Sequence, residues 1–485
     1  MLVDTQNETR GHYFTLSHCW GDSQPLKLTR KSELVFRDGV DINILPKTFQ
    51  HAIEVCRQMD IPYIWIDSMC IFQDDLTDWH AQARTMRQVY SLALCNIAAT
   101  SAPSSSHGLR FHRKLNTMQP FTVVAPRQFW HEDVEGPSIR YTFYPNRYYN
   151  EYIRSGPLNK RAWVLQERLL SRRIMHFTSV GVYWECLNDC SSDLYPERLP
   201  RTRYGTAQDI KMSELKRVLS KVSKPDGKAL EVAWTAAMYD GWNELCQRYS
   251  QCHLTVPSDK LVALNGIAQE ISSRTGDSLV GGLWRRNLLP QLLWVQHHNR
   301  GDNWTIHEWR APSWSWVQHD ATAVYFTHLP CEGGRERATV EHLDVGTAPS
   351  GQLQHASLVL RGRLVRADLI VDDVPPQSRG FFRFFNNRNT EMSPQIMENL
   401  YLDFPHKQQY YHAQIVCIAV YEDTCTLGLG YSNGSNEGRL GVLVLKECCP
   451  QPIKYERIGV IFLEHEYCEL YNSLESPQEH SITII

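Results

Sequence analysis

The chain has no run of about 18 apolar residues, the length a membrane-spanning helix needs. Its first residues, Met1 to Arg10, are polar and lack the apolar stretch of a secretory signal. No membrane span is expected, and a cytoplasmic location is. A basic arm is also missing. The formal net charge is -3, Arg172 and Arg173 stand alone, and the Lys and Arg residues near 211–228 are mixed with acids. A nucleic-acid partner is therefore not expected. No Gly-x-Gly-x-x-Gly follows a strand and no phosphate-cradling Walker loop occurs, which excludes a P-loop NTPase and leaves a standard dinucleotide fold unsupported. No 20–50-residue repeat is present, which excludes a fused solenoid or propeller.

Metal-ligand spacing is equally sparse. Cys186 and Cys190, with His176 ten residues before the first, form the best cluster, but no second pair follows at zinc-site spacing. Cys448–Cys449 and His297–His298 are adjacent pairs without ligand spacing. No metal site is assigned. The 14 cysteines are scattered, several in apolar runs (Cys56, Cys95, Cys417), which suits buried free thiols in a reducing compartment.

What the sequence has is length and aromatic mass. At 485 residues it exceeds one core, so two or three domains are expected. Its 14 Trp and 22 Tyr suit either a dense core or pockets for flat ligands. The first 100 residues alternate strand and helix patterns. Tyr13 to Ser17 reads as a strand, ending in His18-Cys19-Trp20-Gly21, where Gly21 permits a turn. Pro46 and Thr48 open a helix whose apolar face is Phe49, Ala52, Ile53, Cys56 and Met59, broken by Pro62. Tyr63 to Ile66 is an apolar buried strand. Thr77 is an N-cap candidate for a helix with Trp79, Ala83, Met86 and Tyr90 inside. Leu94 to Ala99 is a third strand.

Strands alternating with helices in this way signal an α/β sheet, in which ligands bind beyond the carboxyl ends of the strands. Two polar clusters fall there, His18 to Gly21 and Asp67 to Asp74. Further on, strands are expected at 121–125, 139–144, Arg173 to Phe177 and Val182 to Cys186, and helices at 161–170 and 229–250. Pro257-Ser258-Asp259 is expected to cap a helix through Ile271. From about 303 β-type runs dominate, with 376–408 read as a long loop or insert. The expected division is an α/β domain at 10–187, a mixed helical region at 188–302 and a β-rich domain at 303–485.

Three blocks carry a family resemblance. They are Leu16-Ser17-His18-Cys19-Trp20-Gly21; then Tyr63 through Asp67-Ser68-Met69-Cys70 to Gln73-Asp74, backed by Asp78-Trp79, Met86 and Tyr90; then Arg161-Ala162-Trp163-Val164-Leu165-Gln166-Glu167-Arg168, continuing through His176-Phe177-Thr178 to Trp184-Glu185-Cys186. In this order they resemble the signature blocks of the fungal heterokaryon-incompatibility (HET) domain. Phe72 and Ala162 depart slightly from its usual residues. Runs such as Arg310-Ala311-Pro312-Ser313-Trp314-Ser315-Trp316 resemble segments that follow such domains. The resemblance implies a TIR-like or flavodoxin-like α/β fold and a role in fungal self/non-self recognition or cell death. It also implies NAD as a candidate substrate, by the family's likeness to TIR domains. A small-molecule enzyme of fungal secondary metabolism and a non-catalytic interaction module are the alternatives, with a small molecule or a protein as partner.

Within these blocks four residues are candidates for catalysis. His18, Asp67 and Cys70 would make a Cys–His–Asp set if the histidine faced the thiol; otherwise Cys70 is a small core residue. Glu167 could stabilise an oxocarbenium-like ribosyl cation, or instead form a buried ion pair with Arg161 or Arg168. Glu185 is a weaker carboxylate candidate on a strand taken as an exposed edge. Trp20, Gln73, Asp74, Arg161, Trp163 and Gln166 are the candidate substrate contacts. Asp67, Asp74 and Asp78, three acids within twelve residues, suggest a divalent cation, but Asp74-Asp75 with Asp78 fit equally well as charges at a helix N-terminus.

Overall fold

The computed structural model describes residues 1–4, 10–21, 26–111, 121–125, 138–143, 149–193, 196, 207–220, 228–297, 309–319, 323–326, 334–348, 351–371, 380–384, 400–403, 412–423 and 439–485. The chain divides into two compact units. The first is Met1–Gly241, Cys252–Thr255 and Ala263–Glu270; the second is Trp242–Gln251, Val256–Val262 and Ile271–Ile485.

The first unit runs β1 (Tyr13–Ser17), α1 (Glu33–Asp38), α2 (Lys47–Gln58), β2 (Tyr63–Ile66), the single turn α3 (Asp67–Cys70), α4 (Leu76–Leu92), β3 (Cys95–Ala98), the hairpin β4 (Phe121–Ala125) and β5 (Ile139–Phe143), α5 (Ala162–Leu170), β6 (Arg173–Phe177), β7 (Val182–Cys186), β8 (Cys190–Ser192) and α6 (Ala207–Ser220). Six strands form one sheet in the order β2-β1-β3-β6-β7-β8. The first four are mutually parallel, and β7 and β8 are antiparallel additions. The sheet is therefore mixed. The chain leaves β1 to one side for β2 and to the other for β3, so the carboxyl end of β1 is a point where strand order reverses.

Side chains alternate across a strand, and β1 uses that to separate two environments. Phe14 and Leu16 join Phe49, Ala52 and Cys56 of α2 and Cys95 and Ile97 of β3 in one apolar cluster. Each such burial contributes roughly 1.5–3 kcal/mol for a large side chain. Thr15 and Ser17 take the opposite face, where Asn96 joins them.

Helix ends differ from the sequence expectations in instructive ways. Pro62 does not stop α2. Asp60 does, at φ 54, with Ile61 N–H donating to Cys56 O (2.9 Å) and Asp60 N–H to Arg57 O (3.3 Å), a left-handed C-terminal turn of the Schellman kind. Met59 thus falls outside the helix and is exposed. The N-cap of α4 is Asp75, not Thr77: its carboxylate accepts from Thr77 N (2.9 Å) and Asp78 N (3.2 Å). β7 is no edge strand, because the unforeseen β8 pairs along it.

In the second unit a nine-stranded sheet carries the core. Its longest strands are Leu353–Val371, His412–Asp423, Arg439–Pro450 and Ile453–Glu464. The predicted insert 376–408 contains strands at Gly380–Phe384 and Leu400–Leu402; most of the rest of it lies outside the described residues. Pro257–Asp259 is a separate 3₁₀ turn, and the next α-helix begins only at Asn265. Trp242, Trp284, Trp294, Trp314 and Trp316 are fully buried. The Arg457 guanidinium stacks 3.5 Å from the Trp294 ring centre. It also pairs with the buried Asp403 (3.0 Å) and donates to the carbonyls of Leu292 (2.8 Å) and Trp294 (2.6 Å). Among the described residues no helix is long and apolar enough to cross a membrane.

Candidate functional site

The carboxyl ends of β1 and β2 deliver His18 and Asp67 to one place. His18 Nδ1 lies 3.7 Å from Asp67 Oδ1. The other carboxylate oxygen of Asp67 accepts from the Trp20 indole N–H at 3.0 Å, and Oδ1 also accepts from Ser68 N at 2.7 Å. Asp67 remains partly open to solvent, whereas His18 is 2% exposed, with its ring edge-on to Phe49 (4.8 Å). Burial lowers the pKa of His18, with Arg161 adding to that and Asp67 opposing it, so at neutral pH the imidazole is uncharged. Gly21 closes this loop at φ +74, where a Cβ would stand 2.2 Å from that of Ser104. Only glycine suits both the backbone angle and the close approach.

Helix α5 supplies the rest. Arg161, at its N-cap, donates to the carbonyl of His18. One turn and a half later Glu167 enters the polar face of the sheet, where it accepts a hydrogen bond from Ser17. Asn96 completes the chain of donors: Thr15 Oγ1 donates to Asn96 Oδ1 (3.0 Å) and Asn96 Nδ2 to Ser17 Oγ (2.9 Å). All four residues are buried, as is Tyr90 of α4, which lies near enough to the same carboxyl to lower its pKa. Burial lifts Glu167 to about 7, against the lowering effects of Ser17, Arg161 and Tyr90. Burial, with Glu167 and Asp67 adding to it, holds Tyr90 well above its usual range, so it is a phenol and a donor.

Neither proposed ion pair of Glu167 is formed. Arg161 turns to the His18 carbonyl, and Arg168 goes to Glu185 (2.6 Å). Glu185 is consumed by a structural cluster: Lys216 (2.7 Å) and His176 (3.3 Å) also reach it, and these partners hold it well below the carboxylate range despite burial.

Cys70 is not brought into this arrangement by any hydrogen bond to His18. Burial pushes its thiol up to about 11, the direction opposite to an activated thiolate. Gln73 binds the carbonyls of Asp67 (3.2 Å) and Ile71 (3.0 Å), and Asp74 accepts from Arg30 N (3.1 Å), so both organise the loop after β2. Trp163 packs edge-on to Trp79 at 6.0 Å. Gln166 is buried and accepts from Gly266 N at 3.0 Å, at a position where a Cβ would meet its oxygen at 2.8 Å. Among the described residues no group of three or more His, Cys, Asp or Glu side chains is placed to hold a metal ion. Sequence reasoning did not single out Ser17, Asn96 or Tyr90 as site residues. The available signal was a polar side chain inside an otherwise apolar strand, at Thr15, Ser17 and Asn96.

Residues 13–167, from the start of β1 to Glu167, match the family model described as "Heterokaryon incompatibility protein (HET)". A relative, "Heterokaryon incompatibility protein 6, OR allele" of Neurospora crassa, is 32% identical over 93 residues, 17% of this chain and 13% of that protein. No solved structure matches. Residues 13–167 of this chain are therefore similar to a HET domain. The match spans only a small part of the relative's length.

Proposed function

We propose that the chain acts in fungal heterokaryon incompatibility as a self/non-self or cell-death effector, and that its HET-like domain cleaves NAD at the bond between nicotinamide and ribose. The observation that carries this reading is Glu167: a buried carboxyl at the carboxyl end of the parallel strands, poised near 7 and oriented by Ser17. In NAD the pyridinium nitrogen is already a cationic leaving group. As its bond to C1′ breaks, the electron pair returns to the ring and neutral nicotinamide departs. The ribosyl cation left behind needs a negative partner, which an ionised Glu167 supplies. Water then adds to C1′ and gives up a proton, so the products are nicotinamide, ADP-ribose and a proton. The sheet order, with its reversal at β1, supports a ligand at this end. A TIR-like kinship would account for both features.

The test is induced expression of the full chain in a fungal host, beside Glu167→Gln, with cellular NAD and viability followed together. The expected result is NAD loss and arrest with the native chain and neither with the variant. Equal effects of the two chains, or none from either, would overturn the reading.

A further inference from the structure

Three buried polar atoms at the proposed site have no hydrogen-bond partner among the described residues: both ring nitrogens of His18 and the hydroxyl of Ser68. The Leu16 backbone raises the His18 pKa as a weak hydrogen-bond partner, at a geometry short of a full hydrogen bond. Asp67 satisfies Trp20 and the Ser68 amide but sits beyond hydrogen-bond distance from His18. Buried polar groups are nearly always paired, and one left without a partner asks for an explanation. Here the unpaired atoms adjoin the carboxyl ends of β1 and β2, where an α/β sheet takes its ligand.

The chemistry of these atoms restricts what would satisfy them. An uncharged imidazole offers one donor and one acceptor, and a serine hydroxyl offers both. The adjacent Asp67 carboxylate repels an anion. We propose that His18, with Ser68, recognises an uncharged ligand group that donates and accepts hydrogen bonds at once, of which a primary carboxamide is the type. This rests on the reading of the site given under the proposed function and names the part of the ligand held there: the nicotinamide carboxamide rather than a phosphate.

Binding can be measured without turnover, which keeps the two readings separable. Nicotinamide and nicotinate, alike except for carboxamide against carboxylate, are titrated into the purified full chain and followed by NMR of the probe and of the His18 ring. Three proteins are compared: native, His18→Gln, which keeps a donor and an acceptor, and His18→Phe, which keeps ring bulk and loses both. The proposal expects nicotinamide to bind at least about tenfold tighter than nicotinate. It expects His18→Gln to retain most of that preference and His18→Phe to lose it while its thermal transition remains cooperative. Equal affinity for both probes, or an unchanged preference in His18→Phe, would overturn it. If His18→Phe fails to fold, the native and His18→Gln proteins still decide, since no preference in either counts against the proposal. Absence of nicotinamide release from NAD, with the binding preference intact, would remove the hydrolase reading and leave this one standing.

Discussion

Ser17 donates its hydroxyl hydrogen to Glu167, a residue 150 positions further along the chain. The bond links the end of β1 to the middle of α5, and Asn96 of β3 holds the serine in the donating orientation. Removing it in Ser17→Ala takes away an interaction that favours the charged carboxylate. The Glu167 pKa is expected to rise above about 7, and stability to fall by about 1–2 kcal/mol for a buried hydrogen bond. Carboxyl-carbon NMR titration and urea denaturation check the two parts. An unchanged titration midpoint would show that the bond does not tune the group.

Glu167 also makes a prediction about stability against pH. Its folded value of about 7 stands above its unfolded value of 4.5. Between those values the folded chain binds more protons than the unfolded one, so this group's contribution is full below about 4.5 and is lost as pH rises through about 7. Across that window the loss is about 3 kcal/mol at most. Glu167→Gln cannot titrate. Its stability relative to the native chain should therefore improve between pH 4.5 and 8 by an amount of that order. A difference independent of pH would contradict the assignment.

At Cys70 the expected outcome is slow chemistry. With its thiol at about 11, the thiolate fraction near pH 7 is on the order of one in ten thousand, and alkylation should quicken roughly tenfold per pH unit on the way up. Iodoacetamide labelling read by peptide mass spectrometry measures this. Rapid labelling of Cys70 at pH 7, faster than that of the exposed Cys448, would revive the covalent alternative.

In the second unit Arg457 and Asp403 are both buried. Burial raises Asp403 to about 6 and lowers Arg457 to about 10, so each charge persists chiefly because of the other. Arg457→Met removes one partner and leaves the other charge uncompensated, a loss of about 3–5 kcal/mol. The loss should be larger at pH 8 than at pH 5, because a protonated Asp403 no longer needs the guanidinium. Denaturation curves at the two pH values test this, and an equal loss at both would point to packing against Trp294 instead.

Much of the first unit was legible from residue pattern. β6 and β7 lie where alternation placed them, and the apolar Tyr63–Ile66 run is a parallel strand. These elements state their own geometry through periodicity. The helix ends were harder. Asp75 and Thr77 are both good caps, and only the direction of a side chain separates them. The site was half legible. His18 and Asp67 meet because they follow adjacent strands, which the sequence implies once the sheet is assumed. The partner of Glu167 was not legible. Arg161 and Arg168 are close in sequence, but both turn elsewhere, and the serine that binds it comes from the far end of the domain.

The central claim is tested most directly by nicotinamide release from NAD by the purified full chain, followed from pH 5.5 to 8.5 beside Glu167→Gln. If the ionised carboxyl stabilises the ribosyl cation, turnover rises as pH passes through about 7 and falls by at least about a hundredfold in the variant. Turnover that persists in Glu167→Gln, or no release by the native chain at any pH, would contradict the account.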